Sequence, residues 1–404
     1  MTVVKPKIRG FICTTAHPEG CREHVKQQIE YVKQNLPIDG PKNVLVIGAS
    51  TGYGLASWIS AIFGAHANAV GVFYEREAKG DRTATAGWYN VAAVEAFAKQ
   101  ENIFVASVNG DAFADDVKAK TCQIIKNHLG KIDLIVYSLA SPRRMLPNSG
   151  EVVNSVLKTT DKEYSNKTID PIKGDLGTVT ITPANKEEIA ATVKVMGGED
   201  WYLWMQALNQ HQLLANGVKT IAYSYVGPEI TYPIYRQGTI GKAKEHLEQT
   251  ATEITQFLSP QGGQALVSVN KALVTQASAA IPVVPLYISL LYQVMKNKQI
   301  HEGCIEQIYR LFQDFVYSSK PIITDEKNRI RIDDLEMRQD VQDEIKTAWE
   351  TVNQDNLLDY ADLQGYQDDF YKLFGFGFKH IDYDKEVDID ITIPSLANSL
   401  LETV

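Results

Sequence analysis

The chain has 404 residues, of which 44% are hydrophobic and 22% charged, a composition that allows a large buried core in a globular protein. Its 40 basic and 49 acidic residues leave a formal charge of -9, which argues against a surface that tracks polyphosphate, so no nucleic-acid partner is expected. No Pro-, Ser- or Gly-rich linker, low-complexity tract or internal repeat divides it, and a single enlarged domain is expected over 1–404.

In chain order, basic residues at the start lack the apolar stretch of a signal peptide, so a cytoplasmic location is expected. A helical lead-in over 21–35 precedes the strand Asn43–Ile47, a glycine-rich turn, and a helix from Gly54 to Phe63. A strand over 69–74, a helix over 88–101, a strand over 103–108, a helix over 114–129 and the strand Ile132–Tyr137 follow. This alternation predicts an α/β fold, a Rossmann-type doubly wound parallel sheet. The polar, Thr-rich stretch over 150–195 then predicts short antiparallel strands inserted near the substrate side of the sheet.

An aromatic helix from Glu199 to Ala215 carries Trp201, Tyr202 and Trp204, which read as core. The strand Val218–Tyr225, a Tyr/Gly/Pro-rich loop to Tyr235, a helix to Leu258 and a strand over 265–269 complete the alternation. Ala279 to Met295 is the most apolar stretch, but with Pro282 and Pro285 it falls short of a membrane span and predicts a buried helix. Residues 300–404 predict a mainly helical C-terminal cap, whose acids Asp333, Asp334, Glu336, Asp340, Asp343 and Glu344 read as a solvated face. Cys13, Cys21, Cys122 and Cys304 form no C-x-x-C pair, and Cys13, His17 and Cys21 lack a fourth ligand, so reduced thiols and no metal are expected.

The chemistry begins at Gly48-Ala-Ser-Thr-Gly52-Tyr53-Gly54, where a buried-strand pattern breaks into a G-x-x-x-G-x-G turn opening a helix. Such a turn lets a pyrophosphate approach backbone N–H groups at a helix N-terminus, although glycine turns also serve plain packing. Glu75 ends the second strand, where a carboxylate binds ribose hydroxyls and repels a 2′-phosphate, favouring NADH over NADPH; adjacent Arg76 works against this. Asp111 ends the third strand, placed either to accept from an adenine amine or to stabilise its own turn. Leu139 and Ala140 leave the fourth strand where a nicotinamide ribose would pass.

A second constellation is Tyr232-Pro-Ile-Tyr235-Arg-Gln-Gly238-Thr-Ile-Gly241-Lys242-Ala-Lys244. A phenol beside a lysine stabilises a developing oxyanion. On one continuous helix Tyr235 would align with Lys242, so a role for Lys244 requires Tyr235 to lie in the loop before the helix. Thr239 is a candidate N-cap. Arg143 and Arg144 read either as a docking patch for an acidic carrier or CoA phosphates, or as solvated surface.

Together these residues resemble the FabV-type, or TER-type, trans-2-enoyl thioester reductases. The resemblance spans almost the whole chain and rests on Ile8-Arg-Gly-Phe-Ile-Cys13, the Gly48–Ala56 turn, Tyr74-Glu75, the Tyr-x8-Lys pair Tyr235/Lys244, and Lys271-Ala-Leu273-Val-Thr275-Gln-Ala-Ser. It selects Lys244 over Lys242. It implies an NADH site made of Gly48, Ala49, Ser50, Thr51, Gly52, Tyr53, Tyr74, Glu75, Asp111, Ala112, Leu139, Ala140, Lys244, Leu273, Val274 and Thr275. Tyr235 would then be the catalytic donor and Tyr225 a substrate contact.

The implied reaction is NADH-dependent reduction of the C2–C3 double bond of trans-2-enoyl thioesters of acyl carrier protein, also of CoA, closing the fatty-acid elongation cycle. A dedicated fermentative crotonyl-CoA reductase, a secondary-alcohol dehydrogenase and a silent NADH-binding sensor are the alternatives. A monomer is expected, because the insertion and cap would cover packing surfaces of smaller relatives.

Overall fold

A computed structural model describes residues 1–139, 141–147 and 149–397. Its centre is a seven-stranded sheet: β1 (Asn43–Ile47), β2 (Asn68–Phe73), β3 (Val105–Asn109), β4 (Ile132–Tyr137), β5 (Leu214–Ser224), β6 (Gln264–Val269) and β7 (Arg329–Arg331). The order is β7-β6-β5-β4-β1-β2-β3 and every pairing is parallel. Both faces are covered, which is why the strands read as unbroken apolar runs. In β1, Val44 and Val46 enter one apolar cluster while Leu45 and Ile47 enter the other.

The first cluster packs against α1 (Pro18–Gln34), α2 (Gly52–Ile59) and α3 (Ala86–Gln100). The second packs against α4 (Asp115–His128) and, after the insertion, against α6 (Glu199–Gln210) and α7 (Thr239–Leu258). Trp201 and Trp204 of α6 are fully enclosed there. The strand order reverses between β1 and β4, so Ile47 and Tyr137 lie side by side and their exits open a crevice at the switch point.

The sequence reading differs from the structure in four stretches, each for a local reason. The insertion contains an antiparallel hairpin, Tyr164–Asp170 with Asp175–Ile181, but also a helix, α5 (Lys186–Met196). Asn185 and Glu188 form a reciprocal capping box, with Glu188 N–H on Asn185 Oδ1 at 2.8 Å and Asn185 N–H on Glu188 Oε2 at 2.9 Å. Helix α6 stops at Gln210 rather than Ala215, because Gln212 takes a left-handed φ of 57° and β5 starts at Leu214. The apolar stretch 279–295 forms a short turn, Ser278–Ala280, and then α8 (Val284–Asn297), with Pro285 in its first turn.

The fourth difference lies in the C-terminal part. It carries α9 (Cys304–Arg310) and α10 (Gln339–Thr351), yet Arg329–Arg331 leaves the cap and pairs with Val267–Val269 as the edge strand β7. The acidic run is consequently split. Asp334, Asp340, Asp343 and Glu344 are exposed, but Asp333 and Glu336 are enclosed, directly after the strand. The four cysteines are unpaired, and three of them are buried. Among the described residues no helix is long and apolar enough to cross a membrane.

Candidate active site

The turn after β1 is fixed by its backbone. The N–H groups of Gly48 and Ala49 both donate to Val72 O, at 2.8 and 3.0 Å. Gly48 has φ of +91°, and a Cβ there would lie 2.0 Å from Ser138 O, so the turn is pressed against the exit of β4. Gly52 also has a positive φ, +54°, but faces open space whose nearest atom is Thr275 Cγ2 at 3.8 Å. Thr51 is the N-cap of α2 and its side chain caps nothing, which leaves the first N–H groups of the helix for an anion. These features fit a dinucleotide pyrophosphate.

Around this turn stand most of the residues expected at the cofactor. Ser50 Oγ donates to Glu75 Oε1 at 2.7 Å, and Asn109 holds the Glu75 backbone with reciprocal bonds of 2.9 Å. Burial pushes the Glu75 pKa up, opposed by hydrogen bonds from Thr85 and Ser50 and by the charge of Arg76. Gly87, in the first turn of α3, is a residue that sequence reasoning missed: a Cβ there would sit 2.0 Å from Glu75 Oε1. Leu139 is half-buried, with Cδ2 3.3 Å from where a Gly48 Cβ would stand. Leu273 and Val274 are buried and Thr275 half-buried.

Tyr74, the residue after the last of β2, is 76% exposed. Asp111 Oδ1 accepts from Phe113 N–H at 3.0 Å, the turn-stabilising arrangement. Ala112 is buried, and its carbonyl receives Lys118 Nζ and Trp204 Nε1 at 3.0 and 3.1 Å. Ala140 lies outside the described residues. Tyr53 turns inward: its hydroxyl donates to Lys271 O at 2.7 Å, tying α2 to the segment before Leu273.

Tyr235 lies in the loop before α7, four residues ahead of the first helical residue. Lys242 points out to pair with Glu245 at 2.9 Å, whereas Lys244 points in and donates to Tyr223 O at 2.9 Å. Burial lowers Lys244 to about 8, with Glu248 acting against the shift. Tyr223 Oη in turn lies 2.5 Å from Ser57 Oγ on α2. Tyr235 is buried, burial raises its phenol above the ordinary range, and its Oη has no hydrogen-bond partner among the described residues. Tyr225 meets it edge-on, ring centroids 4.6 Å apart.

Beneath these tyrosines is a group that the sequence reading assigned to solvent. Glu336 accepts Tyr225 Oη at 3.0 Å and Tyr287 Oη at 2.7 Å on Oε1, and Ala272 N–H at 2.8 Å on Oε2. Burial raises its pKa, while the charge of Lys271, the Ala272 N–H and the Tyr287 hydroxyl oppose the rise. The alternation Arg329-Ile-Arg-Ile332 was the available signal, since an edge strand there carries the following residues inward. Thr239 is the first residue of α7 rather than its cap; its hydroxyl bonds Val156 O at 2.5 Å and so ties the insertion to the helix start. Arg144 is neither solvated nor a docking group: it is enclosed, donating to Lys194 O at 2.8 Å and Glu199 Oε2 at 2.6 Å.

A glycine turn that fits a pyrophosphate at the switch point, a buried lysine tied through Tyr223 to the helix after that turn, and a phenol unpartnered among the described residues define a nicotinamide-dependent oxidoreductase of Rossmann type. Family comparison narrows the class. Residues 82–317 match the trans-2-enoyl-CoA reductase catalytic region, and 3–80 match the NAD(P)H binding domain of trans-2-enoyl-CoA reductase. An enoyl-[acyl-carrier-protein] reductase [NADH] of Coxiella burnetii is 57% identical over 397 residues, 98% of each chain. A trans-2-enoyl-CoA reductase [NADH] of Clostridium perfringens is 55% identical over 387 residues, 96% of this chain and 99% of that one. The crystal structure of Clostridium acetobutulicum trans-2-enoyl-CoA reductase in complex with NADH superposes with a TM-score of 0.94 at 45% identity, covering 96% of this chain and 98% of that one. The chain belongs to the trans-2-enoyl-CoA reductase family.

Residues 324–387 also match a model described as an enoyl reductase FAD binding domain. The side chains there do not fit a flavin. Ile330, Val341, Ile345, Tyr366 and Phe370 are packed into the main core, and the enclosed acids Asp333 and Glu336 are already bound by Arg331 and by Tyr225, Tyr287 and Ala272. A Cβ on Gly375 would lie 2.4 Å from His17 O, so this glycine serves packing against α1.

Proposed function

We propose that this chain reduces the C2–C3 double bond of trans-2-enoyl thioesters to saturated acyl thioesters, with acyl carrier protein or CoA as the carrier, as in the last reduction of fatty-acid elongation. The observation that carries this reading is the Tyr235 hydroxyl, without a partner among the described residues, in the loop leading into the helix whose Lys244 reaches Tyr223, itself bonded to Ser57 on the helix after the Gly48–Gly54 turn. NADH, when bound, supplies the hydride that the β-carbon receives. Negative charge then moves to the thioester oxygen, where Tyr235 donates a hydrogen bond in a water-poor setting in which such a bond is strong, and a proton taken up at the α-carbon, from Tyr235 or from water, completes the saturated acyl product. Lys244, held by Tyr223 O, binds the nicotinamide ribose and adds positive charge.

Gly48 to Tyr53 hold the pyrophosphate, and Leu139, Ala140 and Leu273 to Thr275 line the nicotinamide end. Tyr74, Glu75, Asp111 and Ala112 serve the adenosine end, with Glu75 selecting NADH. Tyr225 lies against the acyl group. The relatives are named for both carriers, acyl carrier protein in Coxiella burnetii and CoA in Clostridium perfringens. The chain is proposed to act as a cytoplasmic monomer, to be checked by sedimentation against its mass of 45.0 kDa.

The test is NADH oxidation with crotonyl-CoA, the same acyl group on acyl carrier protein, and simple ketones. Turnover of the enoyl thioesters alone is expected, and the ratio of kcat/KM values assigns the carrier. Turnover of ketones would favour an alcohol dehydrogenase, and tight NADH binding without turnover would favour a sensor.

A further inference from the structure

Glu336 is fully enclosed, and a carboxylate tolerates such a place only when its oxygens are hydrogen-bonded. Its partners are more specific than that requirement demands. Oε1 takes the hydroxyl of Tyr225, whose ring meets that of Tyr235 edge-on, together with that of Tyr287, and Oε2 takes the N–H of Ala272, one residue ahead of the Leu273–Thr275 segment. One carboxylate therefore ties Tyr225, proposed to lie against the acyl group, to the segment proposed to line the nicotinamide. A phenol has a single proton. With that proton given to Glu336, the oxygen of Tyr225 offers lone pairs alone to everything else. Tyr235, edge-on to it, has a hydroxyl with no other partner among the described residues.

We infer that Glu336 is a positioning residue of this site: by taking the phenolic proton of Tyr225 it leaves the thioester oxygen one donor, Tyr235, and so holds the acyl group in a single, productive orientation. Replacing the carboxylate by an amide reverses the polarity. In Glu336→Gln the amide oxygen is required by Ala272 N–H, and its NH2 group faces the tyrosines as a donor. Tyr225 must then accept, its own proton turns toward the crevice, and a second donor competes for the thioester oxygen. Substrate held by the wrong donor is bound without reacting, which lowers kcat and KM together.

This inference rests on the enoyl thioester reading of the site, and wild-type enzyme that does not reduce crotonyl-CoA overturns that reading first. With wild-type turnover established, Glu336→Gln is expected to lower kcat and the KM for crotonyl-CoA by a similar factor of about three to ten, with the NADH Kd within threefold. In a Tyr225→Phe background the same change should alter neither parameter by more than about threefold, because the donor it releases is gone. A raised KM, a weakened NADH Kd, or an equal loss in both backgrounds would instead assign Glu336 to packing and overturn the inference. A crystal structure of the wild-type chain with NAD+ and butyryl-CoA tests it without any variant. The thioester oxygen should lie within about 3.5 Å of Tyr235 Oη, with the Tyr225–Glu336 bond kept; a thioester oxygen bonded to Tyr225 Oη sinks it.

Discussion

Ser50 and Glu75 are joined by a hydrogen bond of 2.7 Å, which fastens the glycine turn of β1 to the end of β2 and fixes the carboxylate in one place. Gly87 leaves room for that carboxylate against the first turn of α3. A 2′-phosphate brought to this strand end would meet a fixed negative charge. Glu75→Gln should therefore reduce the preference for NADH over NADPH, measured as the ratio of kcat/KM values, by about tenfold, mainly through a lower KM for NADPH. An unchanged ratio would place the discrimination elsewhere in the crevice.

Gly48 and Gly52 both need left-handed backbone, but only Gly48 also has a backbone oxygen where its side chain would go. Gly52→Ala should cost about 1 kcal/mol of stability, the penalty for an L residue at positive φ. Gly48→Ala adds overlap with Ser138 O and should cost several-fold more, on the order of 3 kcal/mol, with loss of NADH binding. Denaturant unfolding of the two variants, with NADH titration of each, compares them directly. Equal costs would contradict the tight approach at Gly48.

The alternation of strands and helices was legible because each parallel strand is an apolar run and each helix carries one apolar stripe. Strands β1 and β4 match their expected bounds to the residue. The glycine turn between β1 and α2 and the place of Glu75 just after β2 were legible for a related reason: local spacing alone sets where they fall. Glu336 was not, since it lies 111 residues after Tyr225 in the chain and meets it only because Arg329–Arg331 joins the sheet. Gly87 was hidden likewise, by a contact with a side chain on another element. Arg144 was misread because an arginine after a strand is ordinarily solvated, and its partners Lys194 and Glu199 arrive from the end of the insertion and the start of α6.

Asp200, at the start of α6, pairs with Lys118 of α4 at 2.9 Å in a place where both side chains are enclosed. Lys118 also donates to the carbonyls of Ala112 and Phe113, and so holds the loop after β3 that is proposed to serve the adenosine end. Removing the carboxylate strands an ammonium inside the protein. Asp200→Ala should cost about 3–5 kcal/mol of stability, read by denaturant unfolding, with weaker NADH binding because the loop loses its anchor. A loss below about 1 kcal/mol would show the pair to be dispensable.

Tyr235 and Lys244 are separable by substitution. Tyr235→Phe keeps the ring against Tyr225 and removes only the hydroxyl, so kcat should fall by at least about a hundredfold while the NADH Kd stays within threefold. Near-normal turnover would remove Tyr235 from the chemistry.

The pH profile tests Lys244 through the sign of its shift. Burial lowers this lysine from its ordinary 10.5 to about 8, so between those values the folded chain binds fewer protons here than the unfolded chain. Stability from this group therefore rises with pH across that window, since the unfolded state holds the extra proton. Activity is expected to run the other way, because the ribose binding and charge stabilisation proposed for Lys244 use the ammonium, which is lost as pH passes about 8. The kcat/KM for NADH should thus fall along an alkaline limb centred near 8 while thermal stability does not. Lys271 is lowered to about 8 as well, again by burial, so the limb needs an assignment. Arginine stays charged throughout this range, and Lys244→Arg, even at reduced turnover, should move the limb up by at least about one pH unit. A limb that stays near 8 in Lys244→Arg and disappears in Lys271→Met would transfer the titration to Lys271 and remove Lys244 as the pH-limiting charge.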